Sequence, residues 1–577
     1  MIRLLRAAFA TALLCTSLTA AAATPDAPST PAPRHALVPQ PGEKPGKAVI
    51  ASAHHLATDA GHEVLAMGGN AFDAAVAVGA ALAVVEPSSS GIGGGAFWLL
   101  HRASDGHEVM IDARETAPAA IKAGMYLDAD GQLDRDKSVN GALAAGIPGE
   151  PAGFVHLAQR YGKLPLSKSL APAIRLAREG FPFGPRLKQL IGNRVEVLNR
   201  WPSSASIFLV DGKMPADDAI IRQPDLAATL EALAREGRDG FYRGEVAEKL
   251  VKGVRDAGGV WTLEDLAAYE VVEREPLRTD YRDFHIVTAP PPSGGGVGLV
   301  TMLNVLEAYD LAAADGTLRV HLVVEAMRRA FRDRSFILGD PDFVRMPIAL
   351  LTDKAYAAGL RASIRLDQAT PSASLPGIEA PLVGTDTTHF SVIDRDGNLV
   401  AATLTVNLPF GSGLVPPGTG VLLNNEMDDF ALKAGVPNAY GLIGGDANAV
   451  LPRKRMLSSM TPTFVFGKDR IGVLGTPGGS RIGTMVLLAV LEFVEGRTPA
   501  EFVAKRRFHH QYLPDAISAE KGAIAASDAE RLRHMGHVVN EGEREWGNMN
   551  AVVWDRRSNT LSGSSDPRGL VGSAVVR

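Results

Sequence analysis

The sequence predicts a large layered protein of the α/β or α+β class. Its 577 residues exceed the size of one ordinary domain and are enough for an extensive core. Apolar residues follow a helical period through much of residues 150–270, as in the amphipathic stretches 170–178 and 226–236. Strand-like segments flank this helical region, at residues 96–101 and again from residue 387 onward. Such helices and strands must bury their apolar faces against one another, which favours layers, although these patterns do not give the order of the strands.

The composition is that of an ordinary folded protein and makes one class of partner unexpected. Apolar residues make up 46% of the chain, charged residues 21%, and the formal net charge is -5. The sequence contains no Lys/Arg-rich run of the kind that marks a basic patch. We therefore expect no nucleic-acid partner.

The N-terminus has the pattern of a secretory signal. Arg3 and Arg6 precede an apolar run over residues 7–18, and small residues follow at 20–23. We predict a signal peptide over residues 1–23 and a flexible leader, rich in Pro, Ala and Ser, over residues 24–46. An uncleaved membrane anchor is the alternative, but the apolar run is short for a membrane span. The expected location is therefore periplasmic or secreted.

The cysteine count limits the chemistry of the mature chain. Cys15 is the only cysteine in the sequence, and it lies inside the predicted signal peptide. A mature chain without cysteine has no disulfide, no cysteine nucleophile and no thiolate metal site. The sequence also has no His-Glu-x-x-His motif and no histidine cluster with the spacing of metal ligands, so we expect no metal.

The remaining elements follow from local patterns. The most apolar stretch, residues 74–85, follows Asn70 and Asp73, which resemble a helix start, and its length predicts a buried helix, not a membrane span. The glycine-rich turn at 91–95 lacks the Gly-Lys-Ser/Thr of a phosphate-binding loop, so a tight packing turn is its simplest interpretation. Further along the chain we predict a helix at 320–336, an exposed loop at 364–386, a hairpin of 387–393 with 399–406, a strand at 470–474, a tight turn at 476–480 and a helix at 482–494.

Thr387 is a candidate nucleophile because of its position. A threonine hydroxyl needs an adjacent base, and a free α-amine with a pKa of about 8 can supply one if the threonine is the first residue of its chain. This would require cleavage of the Asp386–Thr387 bond, at a place where a loop runs into a strand. Threonine is also simply a good strand residue, and from this pattern alone the structural interpretation is the stronger of the two.

Several separated blocks resemble the γ-glutamyltranspeptidase family. They occur in the family's order over nearly all of the chain after the leader: residues 86–95, 112–115, 387–392, 424–430, 457–460 and 477–481. The resemblance implies an N-terminal-nucleophile hydrolase fold, a four-layer αββα sandwich of the α+β class. It also implies self-cleavage into a large subunit (47–386) and a small subunit (387–577) that share one core.

The resemblance also implies the catalytic roles. Thr387 would attack the γ-carbonyl of a γ-glutamyl donor, and its freed amine would be the base. Thr405, on the returning strand, would hydrogen-bond the nucleophile. Gly478 and Gly479 would present backbone N–H groups to the oxyanion. His389 would have a structural role, because the α-amine already serves as the base.

Substrate recognition is implied for two charged groups. The α-carboxylate of the donor would be held by Arg114, Ser458 and Ser459, since a guanidinium matches a carboxylate in two-pronged geometry. The α-ammonium would be held by Asn407, Glu426 and Asp429. Residues 434–445, with Tyr440, resemble the lid loop of many members. Taken singly, each of these residues has a more ordinary interpretation, such as a surface ion pair or a turn cap.

The function implied is that of a γ-glutamyltransferase and glutathione hydrolase without metal or organic cofactor. Its partners would be γ-glutamyl donors such as glutathione, an amino acid, dipeptide or water as acceptor, and the two cleavage products of the chain as a heterodimer. One alternative is a glutaryl- or cephalosporin-type acylase of the same fold. The other is a secreted γ-glutamyl-binding protein that is never cleaved.

Overall fold

The computed structural model describes residues 37–217, 219–375 and 387–577. The predicted signal peptide, the first part of the leader and Asp386 lie outside the described residues. So do residues 376–386 of the loop predicted at 364–386.

Helices and strands alternate through the described chain. The strands are β1 Val49–Ser52, β2 Gly95–Arg102, β3 His107–Ala113, β4 Phe181–Pro182, β5 Ile220–Ile221, β6 Val272–Arg274, β7 Leu277–Tyr281, β8 Phe284–Thr288, β9 Thr388–Ile393, β10 Leu399–Thr405, β11 Thr463–Phe466, β12 Arg470–Gly475, β13 Phe508–His509, β14 Ile517–Glu520, β15 Val539–Gly542, β16 Asn550–Asp555, β17 Thr560–Ser565 and β18 Ser573–Val576. The helices are α1 His55–Ala66, α2 Ala71–Val85, α3 Arg135–Val139, α4 Glu150–Arg160, α5 Leu166–Glu179, α6 Pro185–Ile191, α7 Val195–Asn199, α8 Pro202–Phe208, α9 Pro224–Glu236, α10 Asp239–Tyr242, α11 Gly244–Asp256, α12 Leu263–Ala267, α13 Gly294–Leu306, α14 Gly316–Ile337, α15 Ile348–Leu351, α16 Lys354–Arg361, α17 Ile482–Val494, α18 Pro499–Ala504 and α19 Ala526–His534.

Two antiparallel sheets stack at the centre of the molecule. The seven-stranded sheet has the order β18-β1-β9-β10-β2-β3-β6, and the six-stranded sheet has the order β17-β16-β12-β11-β8-β7. Strands β9 and β10 of the first sheet face β12 and β16 of the second. Helix α2 covers the outer face of the first sheet, while α13 and α17 cover the second. The result is the predicted four-layer αββα sandwich of the α+β class.

Helix α2 is buried all round because of its composition. All fifteen of its residues are buried, and most are Ala or Val. Asn70 caps the helix, and Asp73 completes a capping box by accepting from the Asn70 backbone. The prediction of a buried helix at this position is therefore confirmed. Within the described residues, the model contains no helix that is long and apolar enough to cross a membrane.

The β9–β10 hairpin matches the predicted one closely and is central to the seven-stranded sheet. All residues of both strands are buried. The Asp394 carboxylate closes the turn by accepting from the backbone of Asp396 at 2.9 Å and of Asn398 at 3.0 Å. It also accepts from the Ala71 N–H at 2.8 Å, at the start of α2. One buried carboxylate therefore fixes both the hairpin turn and the helix that covers it.

The segment after β12 carries the second element predicted near the site. The strand and the helix predicted at 470–474 and 482–494 are β12 and α17. A glycine turn joins them, and α17 is anchored by apolar side chains that are buried along most of its length. This anchoring places the turn beside the end of the hairpin.

The described end of the predicted leader contacts the C-terminal part of the chain. Leu37 is buried, and its carbonyl accepts from Arg556 Nη1 at 3.0 Å. Glu43 forms an ion pair with the same arginine at 2.6 Å. Residues 37–46 therefore have defined contacts, although the sequence predicts a flexible leader over the whole of 24–46.

We predict that Asp73→Ala destabilises the fold far more than removal of an exposed cap. The buried Asp73 carboxylate accepts from the N–H groups of Asn70, Lys163 and Leu164 at 2.9, 2.9 and 3.2 Å. Three backbone donors would lose their shared, fully buried acceptor, so we expect a loss of about 3 kcal/mol. The matched control is Asp315→Ala, which removes an exposed cap with one such bond, to Leu318 at 2.8 Å, and should cost about 1 kcal/mol. Melting temperatures of the two variants measure the difference, and equal shifts would contradict the prediction.

Candidate active site

The register of the central hairpin brings two threonines together. Leu404 of β10 pairs with Thr388 of β9, so Thr387 and Thr405 are the next neighbours at the open end. The Oγ1 atoms of Thr387 and Thr405 are 3.4 Å apart, and both residues are buried. The Asn407 N–H donates to Thr405 Oγ1 at 2.7 Å. Thr405 Oγ1 therefore accepts from both the Thr387 hydroxyl and the Asn407 N–H, and these two bonds fix the Thr387 hydroxyl beside it.

Arg114 is buried beside this pair and is held by carboxylates. It follows β3, and its Nη1 lies 2.6 Å from Glu426 Oε2, while its Nη2 lies 2.6 Å from Asp429 Oδ2. Glu115 Oε2 is 3.4 Å from Nη1. Three carboxyls therefore surround one guanidinium, which keeps Arg114 charged although burial alone would disfavour its charge. Its pKa is raised as a result.

Two of these carboxyls have raised pKa values. Burial raises the pKa of Glu115 to about 8 against the opposing effect of Arg114. Burial, together with the charges of Glu115 and Asp429, also raises the pKa of Glu426 well above its ordinary range. The cluster therefore contains three acidic side chains and only one basic side chain. A cation that entered the pocket would stabilise the ionised carboxylates.

Two neighbouring asparagines fix the short helical turn Glu426–Asp429. The Asn424 side chain donates to the Gly93 and Gly146 carbonyls at 2.7 and 2.8 Å. Its Oδ1 accepts from the Glu426 N–H at 3.0 Å. Asn425 Oδ1 accepts from the Leu408 N–H at 3.0 Å. The sequence analysis assigned no role to these asparagines, whose partners are distant in sequence.

The serine pair lies on the opposite side of the pocket. Ser458 is buried, and its backbone N–H donates to the Pro292 carbonyl at 2.8 Å. Ser459 is less deeply buried, and its Oγ accepts from Arg334 Nη2 at 3.1 Å. Arg334 belongs to α14 and was missed by the sequence analysis, because it is one of several arginines in a long amphipathic helix.

The glycine turn between β12 and α17 approaches the pocket with its backbone. Gly478 and Gly479 have φ values of 145° and 56°, a region that favours glycine. Gly479 begins the short helical turn that leads into α17. Gly479 lines the pocket of Thr387, while Gly478 lines a larger neighbouring cleft.

Tyr440 covers the pocket from the predicted lid. Its Oη donates to the Asn407 carbonyl at 2.6 Å, and its ring packs against Gly479 so closely that a Cβ there would overlap it. Asp428 accepts from the Ala439 N–H at 2.7 Å and so ties the lid to the Glu426–Asp429 turn. The Asn438 side chain accepts from the Tyr440 and Leu442 N–H groups at 2.9 and 3.0 Å.

The predicted site residues form a single small pocket, with the exception of Gly478. Its walls also include three apolar residues that the sequence analysis did not predict: Leu442, Met460 and Ile482. The predicted residues in its walls are Arg114, Thr387, Thr405, Asn407, Glu426, Asp429, Tyr440, Ser458, Ser459 and Gly479.

His389 follows Thr387 by two residues, does not line the pocket and is fully buried. Its ring nitrogens contact Thr403 Oγ1 at 2.9 Å and Ser391 Oγ at 3.1 Å. Burial lowers its pKa to about 3, so the ring is neutral near pH 7. These contacts agree with the structural role expected for it.

One group of potential metal ligands lies elsewhere in the described part of the chain. His321, Glu325 and His537 are buried and close together, although they are far apart in sequence. Several of the possible ligand atoms already have a protein partner: His321 Nδ1 is 2.8 Å from His537 Nε2, and Glu325 Oε2 accepts from Arg329 Nη1 at 2.5 Å. A cation here would have to compete with Arg329 for the carboxylate.

The αββα architecture is that of an N-terminal-nucleophile hydrolase. The chain belongs to the gamma-glutamyltranspeptidase family, whose model matches residues 57–576. It is 44% identical over 532 residues to the glutathione hydrolase proenzyme of Escherichia coli, and the match covers 90% of each chain. It is 37% identical over 530 residues to the Acylase ACY 1 proenzyme of Pseudomonas sp. strain SE83, which covers 90% of this chain and 92% of the other. The crystal structure of cephalosporin acylase from Bacillus halodurans superposes with a TM-score of 0.81 at 28% identity, over 96% of this chain and 98% of that chain.

We predict that Tyr440→Phe loosens the lid without disturbing the fold. The variant keeps the ring but loses the bond from Oη to the Asn407 carbonyl. The loss of about 1 kcal/mol should speed amide hydrogen exchange in residues 438–442 about fivefold. Tyr512→Phe is the control, because Tyr512 packs in the same apolar cluster but donates to the Leu375 carbonyl at 2.9 Å. Equal exchange in Tyr440→Phe and the wild type would contradict a role for this bond in lid closure.

Proposed function

We propose that this protein is a γ-glutamyltransferase and glutathione hydrolase that uses Thr387 as its nucleophile. The observation that carries this proposal is the internal pairing of Arg114 with Glu426 and Asp429 in the pocket of Thr387. A γ-glutamyl group carries an α-carboxylate and an α-ammonium, and it can replace both halves of this internal pairing.

The exchange of partners explains why a ligand with both charges is favoured. A carboxylate that binds Arg114 draws the guanidinium away from Glu426 and Asp429, which would then lie buried without a counter-charge. An unpaired buried charge is costly. An ammonium on the same ligand restores the lost pairing, with Asn407 as a further partner. A ligand with only one of the two charges therefore leaves one side of the pocket unsatisfied.

The proposed reaction follows from the position of Thr387. The α-amine of Thr387 accepts the proton of its own hydroxyl while Oγ1 bonds to the γ-carbonyl carbon, and Thr405 orients that hydroxyl. Backbone N–H groups of Gly478 and Gly479 stabilise the oxyanion. The C–N bond of the donor then breaks. The leaving amine takes the proton from the α-ammonium of Thr387, and a γ-glutamyl ester of Thr387 remains. Water or the amino group of an amino acid or dipeptide attacks this ester, which regenerates the hydroxyl and completes hydrolysis or transfer.

Thr387 has a free amine only after the bond to Asp386 is cut, so maturation by self-cleavage is part of the proposal. The products would be the large subunit 47–386 and the small subunit 387–577. They would remain together as a heterodimer, because β9 and β10 of one product pair with β1 and β2 of the other in a single sheet. Residues 1–23 would direct export as a signal peptide, which leads to a periplasmic or secreted enzyme.

A second candidate is an acylase for glutaryl-type side chains, which the likeness to cephalosporin acylase favours. A glutaryl group keeps the carboxylate but lacks the α-ammonium. The carboxylates at Glu426 and Asp429 would then have no ligand partner, which favours the γ-glutamyl donor. A binding protein that is never cleaved is the remaining alternative.

We predict that the purified wild type consists of two pieces and that Thr387→Ala stays whole. Removal of the hydroxyl abolishes both self-cleavage and turnover, since each step needs the same nucleophile. Denaturing gels with intact-mass measurement give the cleavage position, and the smaller piece should begin at Thr387. Thr388→Ser, which keeps the hydroxyl that donates to Glu86 at 2.6 Å, is the control and should still be cut.

Either of two results would contradict the proposal. An active wild type that remains one chain would exclude the N-terminal-threonine mechanism. An inactive, uncut chain that still binds glutamate or glutathione would favour the binding protein.

We predict that Asp429→Asn reduces the preference for a γ-glutamyl anilide over a glutaryl anilide about tenfold. The substitution removes a charge that meets the ammonium of the first donor and has no partner in the second. The ratio of kcat/KM for the two donors is the readout. Ser458→Ala is the matched control, because it affects the carboxylate that both donors share and should leave the ratio unchanged. A wild type that prefers the glutaryl donor would favour the acylase.

A further inference from the structure

Arg334 is a buried arginine whose partner is not a carboxylate. It is 7% exposed and lies on α14, behind the serine pair of the pocket. Within the described residues, its side chain makes one hydrogen bond, from Nη2 to Ser459 Oγ at 3.1 Å, and Nε has no acceptor. It forms no ion pair there, in contrast to Arg328 and Arg329 of the same helix, which both pair with Glu325.

The guanidinium is fixed where it is by the start of α13. A Cβ added at Gly294 would lie 3.1 Å from Arg334 Cγ and Nε, so the backbone of α13 packs directly on the arginine side chain. The Gly294 N–H donates to the Ser458 carbonyl at 2.8 Å and holds the serine pair against the same helix end. Arg334 and the two serines therefore form one rigid unit.

This position is electrically linked to the pocket. Burial lowers the pKa of Arg334 to about 10, with Asp429 raising it and Arg114 lowering it, so both pocket residues act on it. At this pKa the side chain is still positively charged near pH 7. A buried charge without a counter-charge is unfavourable, and an anion that enters nearby removes this penalty.

The hydrogen bond also sets the direction of the Ser459 hydroxyl. A serine hydroxyl has one proton and two acceptor lone pairs. Because Arg334 is a donor only, it must occupy a lone pair of Ser459 Oγ and leaves the serine proton to point elsewhere. Ser459 lines the pocket, whereas Arg334 does not, so the free proton can serve a ligand in the pocket.

We propose that Arg334 is a positioning residue for the α-carboxylate of the donor, which acts through Ser459 and supplies a second positive charge beside Arg114. This inference rests on the proposed function and extends it to substrate specificity. The donor carboxylate would bring a further negative charge into a pocket where three acidic side chains already surround Arg114. Arg334 offsets that added charge, and it does so only for a donor that carries a carboxylate.

The test compares three 4-nitroanilide donors on Arg334→Gln and on the wild type. The γ-glutamyl donor carries both charges, the glutaryl donor carries the carboxylate alone, and the 4-aminobutyryl donor carries the ammonium alone. We expect kcat/KM to fall about tenfold for the first two donors, through a higher KM, and to change less than about twofold for the third. Arg334→Lys, which keeps the charge, should recover part of the loss.

Asp429→Asn is the matched control and should give the opposite pattern, with a loss for the γ-glutamyl and 4-aminobutyryl donors and little change for the glutaryl donor. Equal losses on all three donors in Arg334→Gln, or a loss confined to kcat, would overturn the inference. If Arg334→Gln cannot be obtained folded and cleaved, Arg334→Met, which keeps the apolar stem beside Gly294 and removes the charge, decides in its place by the same three-donor pattern. A wild type without activity on the γ-glutamyl donor would instead refute the proposed function itself.

Discussion

The pairing of β9 with β10 is the constraint on which the rest of the site depends. Their register alone puts the Thr387 and Thr405 hydroxyls beside each other at the open end of the hairpin. The hairpin cannot slip, because β1 and β2 pair on either side of it and a shift by one residue would reverse every side chain in a fully buried sheet. Asp394 fixes the far end of the hairpin to α2. The threonine pair is thus held by the most rigid part of the molecule.

The charged side chains beside the open end of the hairpin are held in a different way, because they neutralise one another. Arg114, Glu426 and Asp429 lie in surroundings where an isolated charge would be strongly unfavourable, so each depends on the others. Asn424 and Asn425 hold the turn that carries the two acids, through bonds to backbone groups far away in sequence. In the unliganded pocket, Arg114 and the two acids therefore neutralise one another. A donor would take over both sides of this pairing, with its carboxylate at Arg114 and its ammonium at the acids. Selectivity for a doubly charged ligand follows from this arrangement.

The sequence predicted the parts of the structure that local patterns determine. The buried helix α2, the hairpin and the strand–turn–helix around the glycine turn depend on apolar periodicity, caps and turn residues, all of which are readable in short windows. The membership of the pocket is non-local, since Arg114 and Asp429 are 315 residues apart, and it came from the resemblance to a family. Arg334 had no signal of its own, because in sequence it resembles the other arginines of α14. Gly478 and Gly479 line neighbouring clefts although they are adjacent in sequence, and no local pattern predicts that difference.

The lid and the glycine turn are coupled through a single contact. The Tyr440 ring occupies the space where a side chain on Gly479 would be, so the closed lid requires glycine at that position for a reason independent of the backbone angle. The same tyrosine bonds to the Asn407 carbonyl, and the Asn407 N–H bonds to Thr405. Tyr440 therefore contacts the glycine turn directly and is linked through Asn407 to Thr405, the neighbour of Thr387. A lid that opens to release a product must release both contacts together, which links access to the pocket with the order of the groups inside it.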